Sequence, residues 1–147
     1  MMRSLLAAVL FALAIPVSAQ DPAIEKALKE KGAVKTESGL VYRSVKDGTG
    51  ASPGATDTVR VHYRGTFPDG KEFDSSYKRK EPTEFPLNRV IKCWTEGVAK
   101  MKVGGKAKLT CPPAVAYGER GAGGVVPPNA TLEFEIELLA IVGGATK

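Results

Sequence analysis

Histidine is almost missing from this sequence: there is one, His62, in 147 residues. Tryptophan also occurs once and cysteine twice, and aromatic side chains make up only 7% of the chain. One histidine and two cysteines, with no acidic cluster beside them, are too few ligands for a zinc centre. There is no G-x-S-x-G, and neither cysteine lies near a candidate base in sequence, so no nucleophile–base arrangement is visible. The glycines of Gly121-Ala122-Gly123-Gly124 precede no Lys-Ser/Thr pair and no helix start, which excludes a phosphate loop. The net charge is +5, but the bases are scattered and do not form the aromatic-interleaved patch that nucleic acid requires. Nothing in this inventory calls for a cofactor.

Long apolar runs are missing too, except at the start. Arg3 lies before an apolar stretch from Leu5 to Val17 that is interrupted only by Pro16, and Val17-Ser18-Ala19 suits a cleavage site. This is the pattern of a secretory signal peptide over residues 1–19, cut after Ala19. The run is shorter than the ~20 residues of a membrane span, and no cysteine follows it to carry a lipid. The mature chain is therefore expected off the membrane, in an oxidising compartment. There an even cysteine count favours a bond between Cys93 and Cys111. The alternative is two buried free thiols acting as small hydrophobes.

Residues 20–37 read as one short, poorly anchored helix, from Asp21-Pro22 to Gly32, followed by a linker. Alternation then predicts strands. Gly39 to Val45 puts Leu40, Tyr42 and Ser44 opposite Val41, Arg43 and Val45, and Thr58 to Gly65 puts Val59, Val61 and Tyr63 opposite Arg60, His62 and Arg64. If the apolar face is the inner one, His62 points outward and is no catalytic base. Further strands are expected at Phe73, near Phe85, from Lys106 to Cys111, and from Thr131 to Ile141, where Leu132, Phe134, Ile136 and Leu138 oppose Glu133, Glu135 and Glu137. The outer faces of these strands carry opposite charges, which is ordinary sheet-surface design. A Gly/Pro-rich loop from Val115 to Asn129 carries Tyr117, Val125 and Val126; compact domains seldom keep such loops without a functional reason. Residues 143–147 read as a loose tail.

Between Val90 and Met101 the period changes. Val90, Trp94, Val98 and Met101 follow one helical face, yet the segment is short and Gly97 within it costs about 1 kcal/mol relative to Ala. So short a helix does not hold itself together in water. The expected fold is α+β: an antiparallel sheet curled around one short helix, with Trp94 where they meet.

The residues that can gather on the inner side are Tyr63, Phe73, Val90, Ile91, Trp94, Tyr117 and Phe134, with Asp74 on the rim. Val61-His62-Tyr63-Arg64-Gly65, Gly70 to Ser76, Val90 to Gly97, Ala116-Tyr117-Gly118 and Pro127 to Leu132 stand in the order and spacing of FKBP-type peptidyl-prolyl cis-trans isomerases. The chain resembles that family over about residues 38–142, and its short exported form resembles the bacterial periplasmic members.

The resemblance implies a five- to six-stranded half-barrel wrapped on the helix. It also implies a catalytic pocket of Tyr63, Phe73, Asp74, Trp94, Tyr117 and Phe134, with Val90, Ile91, Val125, Val126 and Arg79 binding substrate. Trp94 would be the floor under the proline ring. Tyr117 would donate its hydroxyl to a substrate carbonyl, and Asp74 would orient that network, with Arg79 paired to Asp74 or Tyr63. Partners implied are proline-containing unfolded or nascent exported polypeptides, and macrolides such as tacrolimus and rapamycin. The chain departs from the family pattern at Thr83, where many members carry an aromatic wall, and at Cys93, where glycine is usual. Phe85 to Ile91 is also two residues shorter than in the small eukaryotic members. The rival reading is a periplasmic holdase that binds unfolded chains in the same groove without catalysis.

Thiol titration of the denatured, non-reduced mature protein should find no free thiols. Two per chain would establish the alternative.

Overall fold

The computed structural model describes residues 22–143. The expected signal peptide, and the tail beyond Gly143, lie outside the described residues.

The order is α1 (Pro22–Leu28), β1 (Val34–Lys35), β2 (Val41–Lys46), β3 (Thr58–Thr66), β4 (Glu72–Ser75), α2 (Ser76–Arg79), β5 (Thr83–Pro86), α3 (Lys92–Ala99), β6 (Lys106–Cys111) and β7 (Leu132–Gly143). Seven strands form one sheet in the order β1-β2-β6-β7-β3-β4, with β5 also paired to β3. Every pairing is antiparallel. The strand that takes the sheet past the expected count is the two-residue β1, inside the stretch read as a linker. One edge of β3 is shared: its first half pairs with β5 and its last three residues with β4. The segment between them carries α2, capped by the Ser75 hydroxyl, which accepts the Lys78 N–H.

Alternation was a sound guide to the inner face. Val59, Val61, Ala107, Leu109, Cys111, Leu132, Ile136 and Leu138 are fully buried, and Tyr63 and Phe134 nearly so. Across them lies α3, burying Cys93, Trp94, Gly97 and Val98, with Met101 just beyond its end. The helix starts two residues later than its apolar face suggests. Val90 is extended and Ile91 is the N-cap, because Leu87–Arg89 forms a separate 3₁₀ turn anchored by fully buried Leu87. The disulfide is present: Cys93 is bonded to Cys111, with Cα atoms 5.9 Å apart, tying the first turn of α3 to the end of β6.

The outer face corrects one expectation. The α1 segment is not loosely attached, because Ile24 and Ala27 pack on Val41, the apolar residue that β2 turns away from the core. Just after the helix, Glu30 accepts from Arg43 at 3.1 Å and from Lys108 at 3.3 Å. β7 runs between β6 and β3, so Glu137 faces Lys106 and His62, and Glu135 faces Lys108 and Arg64. The strand-to-strand ion pairs that form, Arg64 to Glu72, Arg60 to Glu84 and Lys108 to Glu133, are partly exposed and worth little each.

Gly97 explains why a poor helix former sits in the central helix. A Cβ there would lie 2.7 and 2.8 Å from the two methyls of Leu109, which is fully buried. Gly97→Ala gains about 1 kcal/mol of helix propensity but overpacks the core at a cost of roughly 1–3 kcal/mol. The variant should unfold at lower urea concentration than the parent; an equal or higher midpoint would show that Leu109 turns aside freely.

Candidate active site

The inner face of β3 delivers Tyr63, β4 delivers Phe73 and Asp74, β5 delivers Phe85, and β7 delivers Phe134. With Arg89, Val90, Ile91, Trp94 and Tyr117 they line one open cavity of about 420 Å³. Trp94 is only 4% exposed and forms its base. Three rings meet the indole edge to face: Tyr63 at 5.2 Å, Phe85 at 5.1 Å and Phe134 at 5.4 Å between centroids. Phe73 leans on Phe134 at 5.7 Å and on Phe67 at 4.9 Å. Gly65 makes that corner possible, since a Cβ there would sit 2.7 Å from the Phe73 ring and 3.0 Å from Phe134. Such edge-to-face contacts add to simple burial and hold the rings at fixed angles.

One side of the rim is polar. The Tyr63 hydroxyl donates to Asp74 Oδ2 at 2.5 Å, and the Arg79 guanidinium donates to Asp74 Oδ1 at 2.7 Å and to the Tyr63 oxygen at 3.1 Å. Arg79 also reaches Thr83 Oγ1 at 3.3 Å. Burial pushes the Asp74 carboxyl up, but the hydrogen bonds from Tyr63 and Arg79, the charge of Arg79 and the Ser75 N–H together hold it below the usual carboxylate value. Burial, then the bond to Asp74, raises the Tyr63 phenol, and Arg79 is raised by its bonds to Tyr63 and Asp74. Near neutral pH the three therefore stay anion, phenol and cation, and none of them moves a proton.

Tyr63 is also gripped from behind. Its backbone N–H donates to the Ser76 hydroxyl at 2.8 Å, and Ser76 is fully buried. His62, on the opposite face of β3 as alternation requires, lies 2.8 Å from the same hydroxyl through Nδ1 and stacks on Tyr77 at 4.7 Å. Tyr77 donates to Glu137 at 3.4 Å, and burial with that carboxylate raises its phenol to about 12. The lone histidine is part of the scaffold.

The structure brings together Tyr63, Phe73, Asp74, Val90, Ile91, Trp94, Tyr117 and Phe134, with Arg79 on the rim. It separates Val125 and Val126 from the cavity. Val125 is 54% exposed and Val126 is 5% exposed within the core. Gly121 and Gly124 at positive φ fold the loop tightly enough for Ala122 and Val126 to bridge, which turns the second valine inward. Two lining residues were not foreseen, Phe85 and Arg89. Phe85 was recoverable, since Thr83-Glu84-Phe85 alternates and Phe85 pairs with inward Val59. Arg89 sits in the 3₁₀ turn, where no sequence period marks a face. Tyr117 is 40% exposed, and among the described residues its hydroxyl has no partner.

Residues 50–139 match the family model of the FKBP-type peptidyl-prolyl cis-trans isomerases. This chain belongs to that family. A relative named FK506-binding protein 1, from Dictyostelium discoideum, is 53% identical over 103 residues, which span 69% of this chain and 96% of that protein. The FKBP-type isomerase FkpA of Aeromonas hydrophila is 58% identical over 113 residues, 77% of this chain and 42% of that protein. The crystal structure of FkpA from Escherichia coli superposes with a TM-score of 0.80 at 50% identity, covering 83% of this chain and 57% of that one. The chain thus spans about half the length of these bacterial FKBP-type relatives. The FKBP fold expected from the sequence, an antiparallel sheet on one short helix, is the one observed.

The rim triad sets a pH expectation for this FKBP-type domain. A carboxylate with lowered pKa stabilises the fold above its unfolded pKa and loses that contribution as pH falls through the folded one. Comparing the parent with Asp74→Asn by thermal melting should show the parent more stable at about pH 6, with the gap closing in strong acid. Asp74 is 41% exposed, so the gap should be about 1 kcal/mol or less. A gap that widens on acidification would refute the arrangement.

Proposed function

We propose that this chain is a peptidyl-prolyl cis-trans isomerase acting on X–Pro bonds of unfolded or nascent exported polypeptides. The observation that carries the reading is a cavity with an indole base and aromatic walls whose rim groups keep fixed charge states at neutral pH. Such a site suits a reaction that moves no proton and makes no covalent bond.

X–Pro rotation is opposed by a barrier of about 18–20 kcal/mol, because the twisted amide loses its resonance. Water stabilises the planar, charge-separated amide more than the twisted one. Transfer of the bond into an apolar cavity removes that preference, and rigid rings can fit the twisted shape better than the planar one. In this reading the proline ring rests on Trp94 between Tyr63, Phe73 and Phe134. Val90 and Ile91 flank the chain, and the unpartnered Tyr117 hydroxyl donates to a substrate carbonyl. The Asp74–Arg79 pair acts by holding Tyr63. Lowering the barrier by ~5–7 kcal/mol corresponds to an acceleration of about 10⁴–10⁵.

The N-terminal signal pattern and the disulfide together support a periplasmic setting. Among the described residues, no helix is long and apolar enough to cross a membrane. Macrolides of the tacrolimus and rapamycin type are proposed to compete for the same cavity, in keeping with the name of the Dictyostelium relative.

Exchange between cis and trans forms of short Xaa-Pro peptides tests the function. The rate should be nearly flat from about pH 6 to 8, and Tyr117→Phe, which removes one hydrogen bond of ~1 kcal/mol, should lower kcat/KM about five-fold. Peptide binding that changes Trp94 emission without accelerating exchange would establish the holdase, and a bell-shaped profile centred near neutrality would rule out this mechanism.

A further inference from the structure

The one carboxylate that lines the aromatic cavity already has a cation of its own: Asp74 is held by Arg79 at 2.7 Å. Glu84, on the strand that supplies Phe85, is turned to the other face of the sheet and held there by Arg60 at 2.8 Å. Arg89 differs. It lines the cavity beside Val90 and Ile91, it is exposed, and among the described residues its side chain takes part in no ion pair and no hydrogen bond. Its place is set by rigid structure, since the 3₁₀ turn that carries it is pinned by buried Leu87, whose carbonyl accepts from the Thr95 hydroxyl of α3 at 2.5 Å. The cavity mouth therefore has one surplus positive charge, fixed in sequence next to the apolar contacts for the proline ring. The other exposed charges in neighbouring segments are Lys78, Lys80 and Glu81 around Arg79, Lys92 at the start of α3, and the opposed couple Glu119 and Arg120 in the loop after Tyr117.

We propose that Arg89 is a specificity-determining residue of this site, selecting X–Pro bonds flanked by an acidic side chain. This rests on the isomerase reading for its kinetic form, though not for its binding form. The guanidinium is planar and always charged, so it can meet a carboxylate in a two-point geometry that a neutral or basic side chain cannot offer. At an exposed rim such a pair is worth about 0.2–1 kcal/mol, a preference of roughly 1.4- to 5-fold. The preference is electrostatic, so salt should erode it.

The test uses the full mature chain and three matched peptide sets with Glu, Gln or Lys, placed either immediately before or immediately after the proline. Isomerisation is read as kcat/KM and binding as the change in Trp94 emission, both at low and high salt. The expected result is a Glu-over-Lys ratio of about 2–5 at low salt, in at least one of the two positions. It should fall towards one at high salt and invert in Arg89→Glu. Lys92→Glu should move the ratio much less, because Lys92 does not line the cavity. A parental ratio of one at low salt overturns the proposal, as does an unchanged ratio in Arg89→Glu or an equal shift in Lys92→Glu. If no peptide is accelerated, the isomerase reading fails, and the ratio of binding constants still decides the role of Arg89.

Discussion

An eight-residue helix with glycine at its sixth position has no stability of its own in water. It persists here because a curled sheet covers one side of it, with the buried indole of Trp94 in that contact. The same packing positions the site. Trp94 can serve as the base of a cavity only because Tyr63, Phe85 and Phe134 fix its plane from three sides, and those rings belong to three different strands. The contact that folds the domain is the contact that shapes the pocket. Gly97 and the Cys93–Cys111 bond serve the same end: one lets α3 lie close to Leu109, the other ties its first turn to β6.

The rim is built to keep its charge state constant. Asp74 sits between a phenol and a guanidinium that both donate to it, so its carboxylate persists in a partly buried place where desolvation alone would neutralise it. This keeps Tyr63 oriented near neutral pH. The lone histidine takes no part in this rim: it is on the other side of the sheet, 2.8 Å from the Ser76 hydroxyl and stacked on Tyr77.

The N-terminal residues are less independent of the domain than their composition suggests. Val41 faces away from the core, and α1 covers it, while Glu30 bridges Arg43 and Lys108 across two strands. A segment that reads as a polar lead-in thus completes the outer face of the sheet.

What the sequence determined by itself was everything carried by local period. Alternation assigned the inner faces of β3, β6 and β7 and sent His62 outward, because a strand side chain has only two directions. The change to helical spacing near Trp94 located the central helix to within two residues, and cysteine count with the export pattern led to the disulfide. Tertiary structure alone decided the rest. Whether Val125 or Val126 reaches the cavity depends on two glycines at positive φ and one bridge in an aperiodic loop. Arg89 lines the cavity because a 3₁₀ turn, which has no long-range pattern, ends beside it. That α1 is docked depends on Val41 needing cover, a demand that appears only once the sheet exists and its other face is filled. Local spacing specifies which way a side chain points within its element; which elements meet is set by packing between distant parts of the chain, and no short window of sequence records it.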